Sequence, residues 1–157
     1  MNVIHHLAKP FPVARVSWRV GASTKDKSKC IPLAYIDARD VMQRLDDVIG
    51  AARWQDRYSH VADGLVVCEL GIFTFWEDAP QWVWKANGAG DTQVEAEKGK
   101  LSDAFKRAAV LWGIGRYLYS LPNVWVPHNN GNFTPPALPH WATPEGYEAI
   151  MAKREAA

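Results

Sequence analysis

The sequence predicts an α+β fold in which an antiparallel β-meander packs on a long C-terminal helix, forming a β-β-β-α core. A first pair of β-strands and a helix precede this core. Two patterns support the prediction: short apolar stretches separated by tight turns before residue 90, and one long stretch of helical periodicity after it. With 157 residues, 48% of them hydrophobic, the chain can bury a core without disulfides or metal ions.

The first third of the chain predicts two strands and an amphipathic helix. Alternating apolar and polar residues indicate a strand over 13–20, and a second apolar stretch indicates a strand over 31–36. Between them, residues 21–29 contain no apolar side chain larger than alanine and predict a solvated basic loop. Asp37 then suits the N-cap of a helix that ends at Gly50.

Three further strands are predicted over residues 53–61, 65–75 and 81–86. The first two are separated by a turn at 62–64, and the last two by a turn at 77–80 that contains two acids and a proline. Connections this short join antiparallel neighbours. The three strands are therefore expected to form a meander.

A capping box, Thr92-x-x-Glu95, predicts the start of the long helix. Behind it, apolar residues recur at helical spacing and predict one continuous stripe that packs on the sheet. These residues are Leu101, Ala104, Phe105, Ala108, Leu111 and Trp112. Lys106 and Arg107 project away from the stripe, and the glycines in Gly113-x-Gly115 predict that the helix kinks or ends there.

The composition changes after Leu121. Six of the ten prolines lie between residues 122 and 144, which predicts an extended arm with little regular structure. Thr143 and Pro144 then suit the start of a short terminal helix. The sequence thus predicts a core domain over residues 1–121 and an arm over residues 122–157 that packs on the core or on a neighbouring protomer.

No catalytic constellation emerges from the sequence. The glycine-rich pieces at 88–90 and 113–115 are too short for a dinucleotide fingerprint, and Gly99-Lys100 lacks the spacing of a phosphate loop. The histidines and cysteines are too scattered for zinc, and no acid stands two positions before Lys98 or Lys100, as a metal-dependent nuclease would need. We therefore expect no cofactor, no metal ion and no catalysis.

The cysteine content and the chain start indicate a cytosolic protein. Cys30 and Cys68 are the two thiols, and Cys68 lies in an apolar strand, as a core thiol does. The first ten residues do not form a signal peptide, and the sequence has no apolar run of the roughly 20 residues that a membrane helix needs. Both thiols are expected to be reduced.

The net charge is only +1, but the charges are unevenly distributed. Residues 9–29 contain six basic residues against Asp26, a net charge of +5, and residues 98–116 contain five against Asp103, a net charge of +4. The acids concentrate between these segments, which indicates one strongly positive face on a nearly neutral protein. Two solvated faces that happen to be basic would give the same pattern.

The chain also contains eight tryptophans. Large aromatic side chains are enriched in cores, at interfaces and on base-stacking surfaces, so their number alone does not separate these uses. The cations at Lys106 and Arg107, a second basic segment on a strand and loop, and Tyr35 as a stacking side chain favour single-stranded nucleic-acid binding. An enzyme and a protein-interaction module are less well supported.

One block of sequence resembles a known family. It runs from Asp103 through Lys106-Arg107-Ala108-Ala109 to Trp112-Gly-Ile-Gly-Arg-Tyr-Leu-Tyr119, and it follows the segments Ser17-Trp18-Arg19 and Leu33-Ala-Tyr-Ile-Asp37. This combination resembles the single-strand annealing proteins of the Rad52 superfamily, in particular the DdrA and phage Sak branches. The likeness spans about residues 15–121.

The resemblance implies protomers arranged side by side as a homo-oligomer, in a closed ring or a helical filament, with single-stranded DNA in a basic groove. It also implies annealing of complementary strands without ATP, in recombination or double-strand break repair, and no covalent chemistry. A separate single-stranded DNA-binding protein is a candidate partner, and no membrane is involved. The expected location is the cytoplasm, on the nucleoid of a bacterial cell or in a phage-infected cell.

Carried over position by position, the resemblance assigns Arg19 to the DNA backbone, Tyr35 to the groove, and Lys106 with Arg107 to phosphates. The eukaryotic pattern has a further basic residue where this sequence has Val110, so another cation would replace that contact. The complete set of predicted DNA-binding residues is Arg19, Lys25, Lys27, Lys29, Tyr35, Lys100, Lys106, Arg107 and Arg116.

These assignments have structural alternatives. Arg107 follows an acid by four residues and would also suit an intrahelical ion pair. Tyr35 would also fit a core, and Arg116 would also suit a contact with the carbonyls at the end of the helix. Trp125 and Trp141, on the proline-rich arm, suit packing on an adjacent protomer.

Two other functions remain open from the sequence. The first is a coat protein that protects single-stranded DNA ends and anneals strands poorly. The second is a metal-dependent nuclease whose acids are not recognisable from their spacing. Both differ from the annealing protein in a measurable product: a nuclease releases cleaved DNA, and a coat protein leaves the rate of duplex formation unchanged.

Overall fold

The computed structural model describes residues 2–62, 64–90 and 97–157. It has an α+β fold with two antiparallel three-stranded sheets, so the predicted fold class is confirmed. The chain divides into two compact units. One comprises the residues up to Ala8 together with Ala38–Ile114, and the other comprises Lys9–Asp37 together with Gly115–Ala157.

The sheet of the first unit is the predicted meander. Its strands are β3 (Trp54–Ala62), β4 (Leu65–Trp76) and β5 (Ala79–Ala89), in the order β3-β4-β5. β5 is longer at both ends than the prediction of residues 81–86. Because the turn between β4 and β5 contains only Glu77 and Asp78, both with positive φ, pairing begins immediately after it.

Three helices belong to the same unit: α1 (Val3–Ala8), α2 (Ala38–Val48) and α3 (Glu97–Leu111). α2 matches the helix predicted after Asp37, and Gly50 follows it with a φ of 97°. The short α1 was not predicted, because six residues are too few to show a helical period. Arg44 of α2 donates hydrogen bonds to the carbonyl oxygens of His6 and Leu7, which lie at the C-terminal end of α1.

The core of the first unit lies between α3 and the sheet. α3 packs against β4 and β5, and it buries Ala104, Phe105, Ala108 and Ala109 almost completely. The predicted stripe is wrong at Leu101, which is 43% exposed. Leu101 shares the face of Phe105 by helical spacing, so its exposure indicates that cover by the sheet begins only at Ala104.

The C-terminal end of α3 is fixed to the sheet by polar contacts. Trp112 is buried, and its indole Nε1 donates a hydrogen bond of 3.1 Å to the carbonyl oxygen of Leu70 in β4. The Lys85 ammonium of β5 donates to the carbonyl oxygen of Leu111 at 3.1 Å and lies 4.6 Å from the centroid of the Trp112 ring. Gly113, with a φ of 93°, then ends the helix as predicted. The capping box at residues 92–95 lies outside the described residues.

The second unit contains the predicted strand pair, with shifted boundaries. β1 (Ser17–Ser23) and β2 (Lys29–Tyr35) form an antiparallel hairpin. The prediction of a strand over 13–20 is wrong in its first part, because Val13–Arg15 form a 3-10 turn directly after Pro12. The prediction of a loop over 21–29 is also too long, because backbone pairing of Ser23 with Cys30 does not require apolar side chains.

The proline-rich arm contributes a strand and a helix to the second unit. β6 (Val126–Pro127) pairs with β2, so the sheet has the order β1-β2-β6. The terminal helix α4 (Pro144–Glu155) begins where predicted, with the Thr143 hydroxyl accepting a hydrogen bond from the backbone N–H of Gly146. The division into a core domain over residues 1–121 and an arm over residues 122–157 stays a prediction.

In residues 2–62, 64–90 and 97–157, no helix has both the length and the apolar character needed to cross a lipid bilayer.

Removing the Phe105 ring is expected to destabilise the protein strongly. Phe105 is 1% exposed and its ring centroid lies 6.0 Å from that of Trp54, so a Phe105→Ala substitution leaves a cavity. We expect the free energy of unfolding in urea to fall by about 3–5 kcal/mol. Leu101→Ala, on the same helix face but exposed, is the matched control and should cost less than about 1 kcal/mol. Equal losses would contradict the described position of α3.

Candidate nucleic-acid interface

The nine predicted DNA-binding residues divide between the two units. α3 of the first unit contains Lys100, Lys106 and Arg107. The second unit contains Arg19, Lys25, Lys27, Lys29, Tyr35 and Arg116. Most of them lie on the β1–β2 hairpin, which is therefore the best defined part of the candidate interface.

The register of the hairpin brings a cation and an aromatic ring to one exposed face. Ser17 is paired with Tyr35, and Arg19 is paired with Leu33. Since paired residues share a face and alternate residues of a strand share a face, all four point to the same side. Arg19 is exposed, and Leu33 and Tyr35 are each 39% exposed, so this is the solvent side of the hairpin. We call it the hairpin face, defined by Ser17, Arg19, Leu33 and Tyr35.

The exposure of Tyr35 bears on the alternative that this residue belongs to the core. The buried side of β2 is formed instead by Cys30 and Pro32, while Tyr35 has the opposite parity. Gly21 of β1 lies beside the hairpin face, where a Cβ atom would be only 2.7 Å from Cγ of Leu33. A larger residue at position 21 would displace Leu33, so glycine keeps the hairpin face compact.

The turn between β1 and β2, together with the first residue of β2, presents three lysines. Lys25, Lys27 and Lys29 are exposed, and Lys29 has the strand parity of Leu33 and Tyr35. Together with Arg19 they form no ion pair within the part of the chain that the structure describes. Lys27 lies within the turn and has a left-handed backbone conformation, with a φ of 58°. Four cations are thus displayed on the hairpin face and its adjoining turn.

Asp26 is the acid of this turn, and its carboxylate accepts hydrogen bonds from residues of the same turn. The carboxylate accepts hydrogen bonds from the Thr24 hydroxyl at 2.7 Å, and from the backbone N–H and the hydroxyl of Ser28 at 3.0 and 2.8 Å. These bonds, the one from Thr24 first, lower the pKa of Asp26 from 3.8 to about 2. The acid therefore stabilises the turn conformation that displays the lysines.

The cations of α3 are arranged differently. Arg107 is exposed, and its Nε donates a hydrogen bond of 3.0 Å to Oδ2 of Asp103, one turn earlier. The intrahelical ion pair expected as an alternative is therefore present. Lys100 and Lys106 are half-buried along the same helix. An exposed i,i+4 pair contributes only a few tenths of a kcal/mol, so the Arg107 guanidinium can exchange this partner for a phosphate at little cost.

Arg116 begins a 3-10 turn, Arg116–Ser120, and its side chain is exposed. The turn follows Gly115, whose φ of 72° is unfavourable for any residue with a Cβ atom. A Cβ at position 115 would also lie 2.9 Å from Cδ1 of Ile36. The conformation of Gly115 thus sets the direction of the chain at Arg116.

The first unit has an aromatic surface that was not predicted from the sequence. On β4 and β5, Phe73, Phe75, Trp82 and Trp84 share the side of the sheet that faces away from α3. We call this the outer aromatic face. Phe75 is 60% exposed, and the Arg57 guanidinium lies 4.0 Å from the centroid of Trp84 while binding Glu69 with Nε at 2.7 Å. The alternation of aromatic residues in 73–75 and in 82–84 was the available sequence signal.

The cysteine of β4 is accounted for by packing. Cys68 is fully buried, and burial first of all raises the pKa of its thiol to about 11, so the thiol stays protonated at neutral pH. Among residues 2–62, 64–90 and 97–157, no three histidine, cysteine or acidic side chains are grouped so that they could hold a metal ion. Phe105 and Trp112 are core residues, as expected.

Acidification is expected to open the lysine turn at unusually low pH. Because the pKa of folded Asp26 lies below its unfolded value of 3.8, the ionised carboxylate stabilises the turn above pH 4, and this contribution is lost as the pH falls towards about 2. The amide shifts of Thr24 and Ser28, followed by NMR, should titrate with a midpoint near 2. In Asp26→Asn this transition should be absent, and a midpoint near 4 in the original protein would contradict the hydrogen bonds described.

Comparison with known proteins identifies the family. The family model for Rad52/22 family double-strand break repair proteins matches residues 2–68 and 74–136. The single-stranded DNA-binding protein DdrA of Deinococcus deserti is 40% identical over 147 residues, which cover 92% of this chain and 71% of that protein. DdrA of Deinococcus radiodurans is 35% identical, over 92% of this chain and 69% of that protein. This chain therefore belongs to the Rad52/22 family of double-strand break repair proteins.

Proposed function

We propose that this protein binds single-stranded DNA as a homo-oligomer, a ring or a filament, and anneals complementary strands without ATP during double-strand break repair. Two relatives that carry the name single-stranded DNA-binding protein support the ligand. The arrangement of the hairpin face supports the way in which it is bound. The protein acts by binding and positioning strands, with no covalent step, in the cytoplasm and on the nucleoid of a bacterial or phage-infected cell.

The hairpin face is the observation that carries the proposal. Arg19 and Lys29 offer fixed positive charges on a sheet, and Tyr35 offers an exposed ring on the same side. Cations bind the phosphates of a strand without regard to sequence, and an aromatic ring stacks on any base. This combination holds a strand by its backbone and leaves the Watson–Crick edges of other bases accessible to a complementary strand.

The basic turn and the cations outside the hairpin extend the proposed contact with the backbone. Lys25 and Lys27 lie in the turn of the hairpin, where they reach a strand that leaves the hairpin face. We assign Lys106 and Arg107 to further phosphates. The eukaryotic pattern has a basic residue at the position of Val110, and here Lys100 or Arg116 would make that phosphate contact instead. A separate single-stranded DNA-binding protein would deliver the strand.

Removing two cations from the hairpin region should weaken DNA binding in a salt-dependent way. In Arg19→Ala/Lys29→Ala, two phosphate contacts are lost, so the slope of log K against log salt concentration should fall by about 1.4 for a single-stranded oligonucleotide. Lys153→Ala, on exposed α4, is the control and should leave the slope unchanged. An unaltered slope in the double variant would move the site away from the hairpin.

The helix cations should matter for both binding and annealing. Lys106→Ala/Arg107→Ala is expected to keep the fold, because Arg107 is exposed and its ion pair contributes little, while binding of a single-stranded oligonucleotide weakens. Annealing of complementary oligonucleotides without ATP is then measured for the original protein and for the double variant, at concentrations where both bind the same fraction of the DNA. The original protein should accelerate duplex formation. Binding without acceleration would instead indicate an end-protecting coat, and magnesium-dependent cleavage would indicate a nuclease.

A further inference from the structure

The strand β6 adds residues of the proline-rich arm to the sheet that carries the hairpin face. β6 pairs antiparallel with β2, with Lys29 opposite Pro127 and Cys30 opposite Val126. Paired residues share a face, so Pro127 lies with Lys29 on the solvent side of the sheet, where both are exposed. Val126 lies on the other side with Cys30, which is completely buried. The arm therefore widens the solvent side of the second unit's sheet beyond β2.

One hydrogen bond determines which backbone groups of β6 face β2. The N–H of His128 donates to the carbonyl oxygen of Ser28 at 3.0 Å. Since hydrogen-bonded and non-hydrogen-bonded pairs alternate in an antiparallel ladder, Pro127 occupies a position whose N–H would point away from β2. Proline has no N–H and is tolerated at such a position on an outer strand. The proline thus agrees with the register and with the face assigned to β6.

Trp125 lies directly before β6 and two residues before Pro127. Alternate residues of an extended chain share a face, so Trp125 has the parity of the solvent side. Continued by one residue, the register sets it beside Ile31 of β2. Its exposure agrees with this position, because Trp125 is 49% exposed and Trp141, on the same arm, is 37% exposed. The arm thereby brings a second large aromatic ring to the side of the sheet that carries Tyr35.

The Trp125 indole has no polar or stacking partner in its own chain. Within residues 2–62, 64–90 and 97–157, its Nε1 donates no hydrogen bond, and neither an aromatic ring nor a cation stacks on it. The indoles of Trp54 and Trp112, in contrast, donate to Asp46 and to the carbonyl oxygen of Leu70. Tryptophan rings left exposed in this way are typical of binding surfaces.

The charges near Trp125 indicate the chemistry of the partner. Arg19 and Lys29 lie on the same side of the sheet and form no ion pair with the described residues. The acid of the adjoining turn, Asp26, already accepts hydrogen bonds from its own turn. Two copies of this surface brought together would oppose cations to cations, which is unfavourable. A single strand of DNA provides phosphates for the cations and bases for the rings.

We propose that Trp125 stacks on a base of the single strand that binds at the hairpin face, so that the arm takes part in DNA binding. At about 3.3 Å per residue and about 4.8 Å between strands, the positions of Trp125 and Tyr35 lie about 14 Å apart, so the two rings stack on different bases. The inference rests on the DNA binding proposed above and adds a residue of the arm to that site. It assigns to DNA a ring that was expected to pack on an adjacent protomer.

Replacing the ring tests the assignment. In Trp125→Ala, the affinity for oligothymidylate should fall by about 5- to 150-fold, the range for loss of one stacked base. The slope of log K against log salt concentration should stay unchanged, because no phosphate contact is lost. Trp125→Phe should restore most of the affinity. Trp141→Ala is the matched control, since this tryptophan lies in the 3-10 turn His140–Ala142 outside the sheet, and it should bind as the original protein does.

A strand without bases separates stacking from a structural role. The original protein and Trp125→Ala should bind equally to an abasic strand of the same length, which keeps the sugar–phosphate backbone but offers no ring to stack on. An equal loss of affinity on both strands overturns the proposed stacking, and so does normal binding of Trp125→Ala to oligothymidylate. Neither result affects the proposed function. An original protein that binds neither strand overturns both.

Two further readouts distinguish DNA from a neighbouring protomer as the partner of Trp125. By light scattering, Trp125→Ala should have the same mass as the original protein, and loss of assembly would overturn the assignment to DNA. Photocross-linking of the original protein to a strand containing 5-iodouracil needs no substitution. Tandem mass spectrometry should locate a cross-link at Trp125. Cross-links confined to other residues would overturn the proposal even if Trp125→Ala failed to fold.

Discussion

The packing of α3 on β4 is the interaction on which the rest of the first unit depends. Phe105 and Trp112 define which side of the sheet is interior, and the bond from the Trp112 indole to the Leu70 carbonyl holds the end of the helix at one position along β4. Once that side is buried, strand alternation determines the opposite side. The outer aromatic face is therefore a consequence of this one contact.

The strands and helices with a clear period could be predicted from the sequence, whereas their ends could not. The three strands of the meander, the helix α2 and the long helix α3 were predicted because each carries its own pattern of apolar residues. β5 extends further because the positive φ values at Glu77 and Asp78 allow pairing right up to the turn. The extension of β1 and β2 into polar sequence depends on backbone hydrogen bonds, which leave no trace in hydrophobicity.

For the candidate site, sequence predicted the residues but not their arrangement. The charge pattern, the aromatic content and the family resemblance predicted Arg19 and Tyr35, and only the register shows that they share an exposed face. The lysine turn was predicted as a loop, but its shape depends on Asp26 accepting three hydrogen bonds. The outer aromatic face was not predicted because it joins residues of two strands, and only the register of β4 with β5 places them on one side of the sheet.

Each unit of this protein contains one buried cysteine, Cys68 on β4 in the first and Cys30 on β2 in the second. Both are completely inaccessible, so a thiol-specific alkylating reagent can reach them only when the surrounding strands separate. The rate at which each sulfur is modified therefore measures the opening of its own unit. The two natural thiols make it possible to follow the stability of the sheet and of the hairpin separately in the intact chain, with and without DNA.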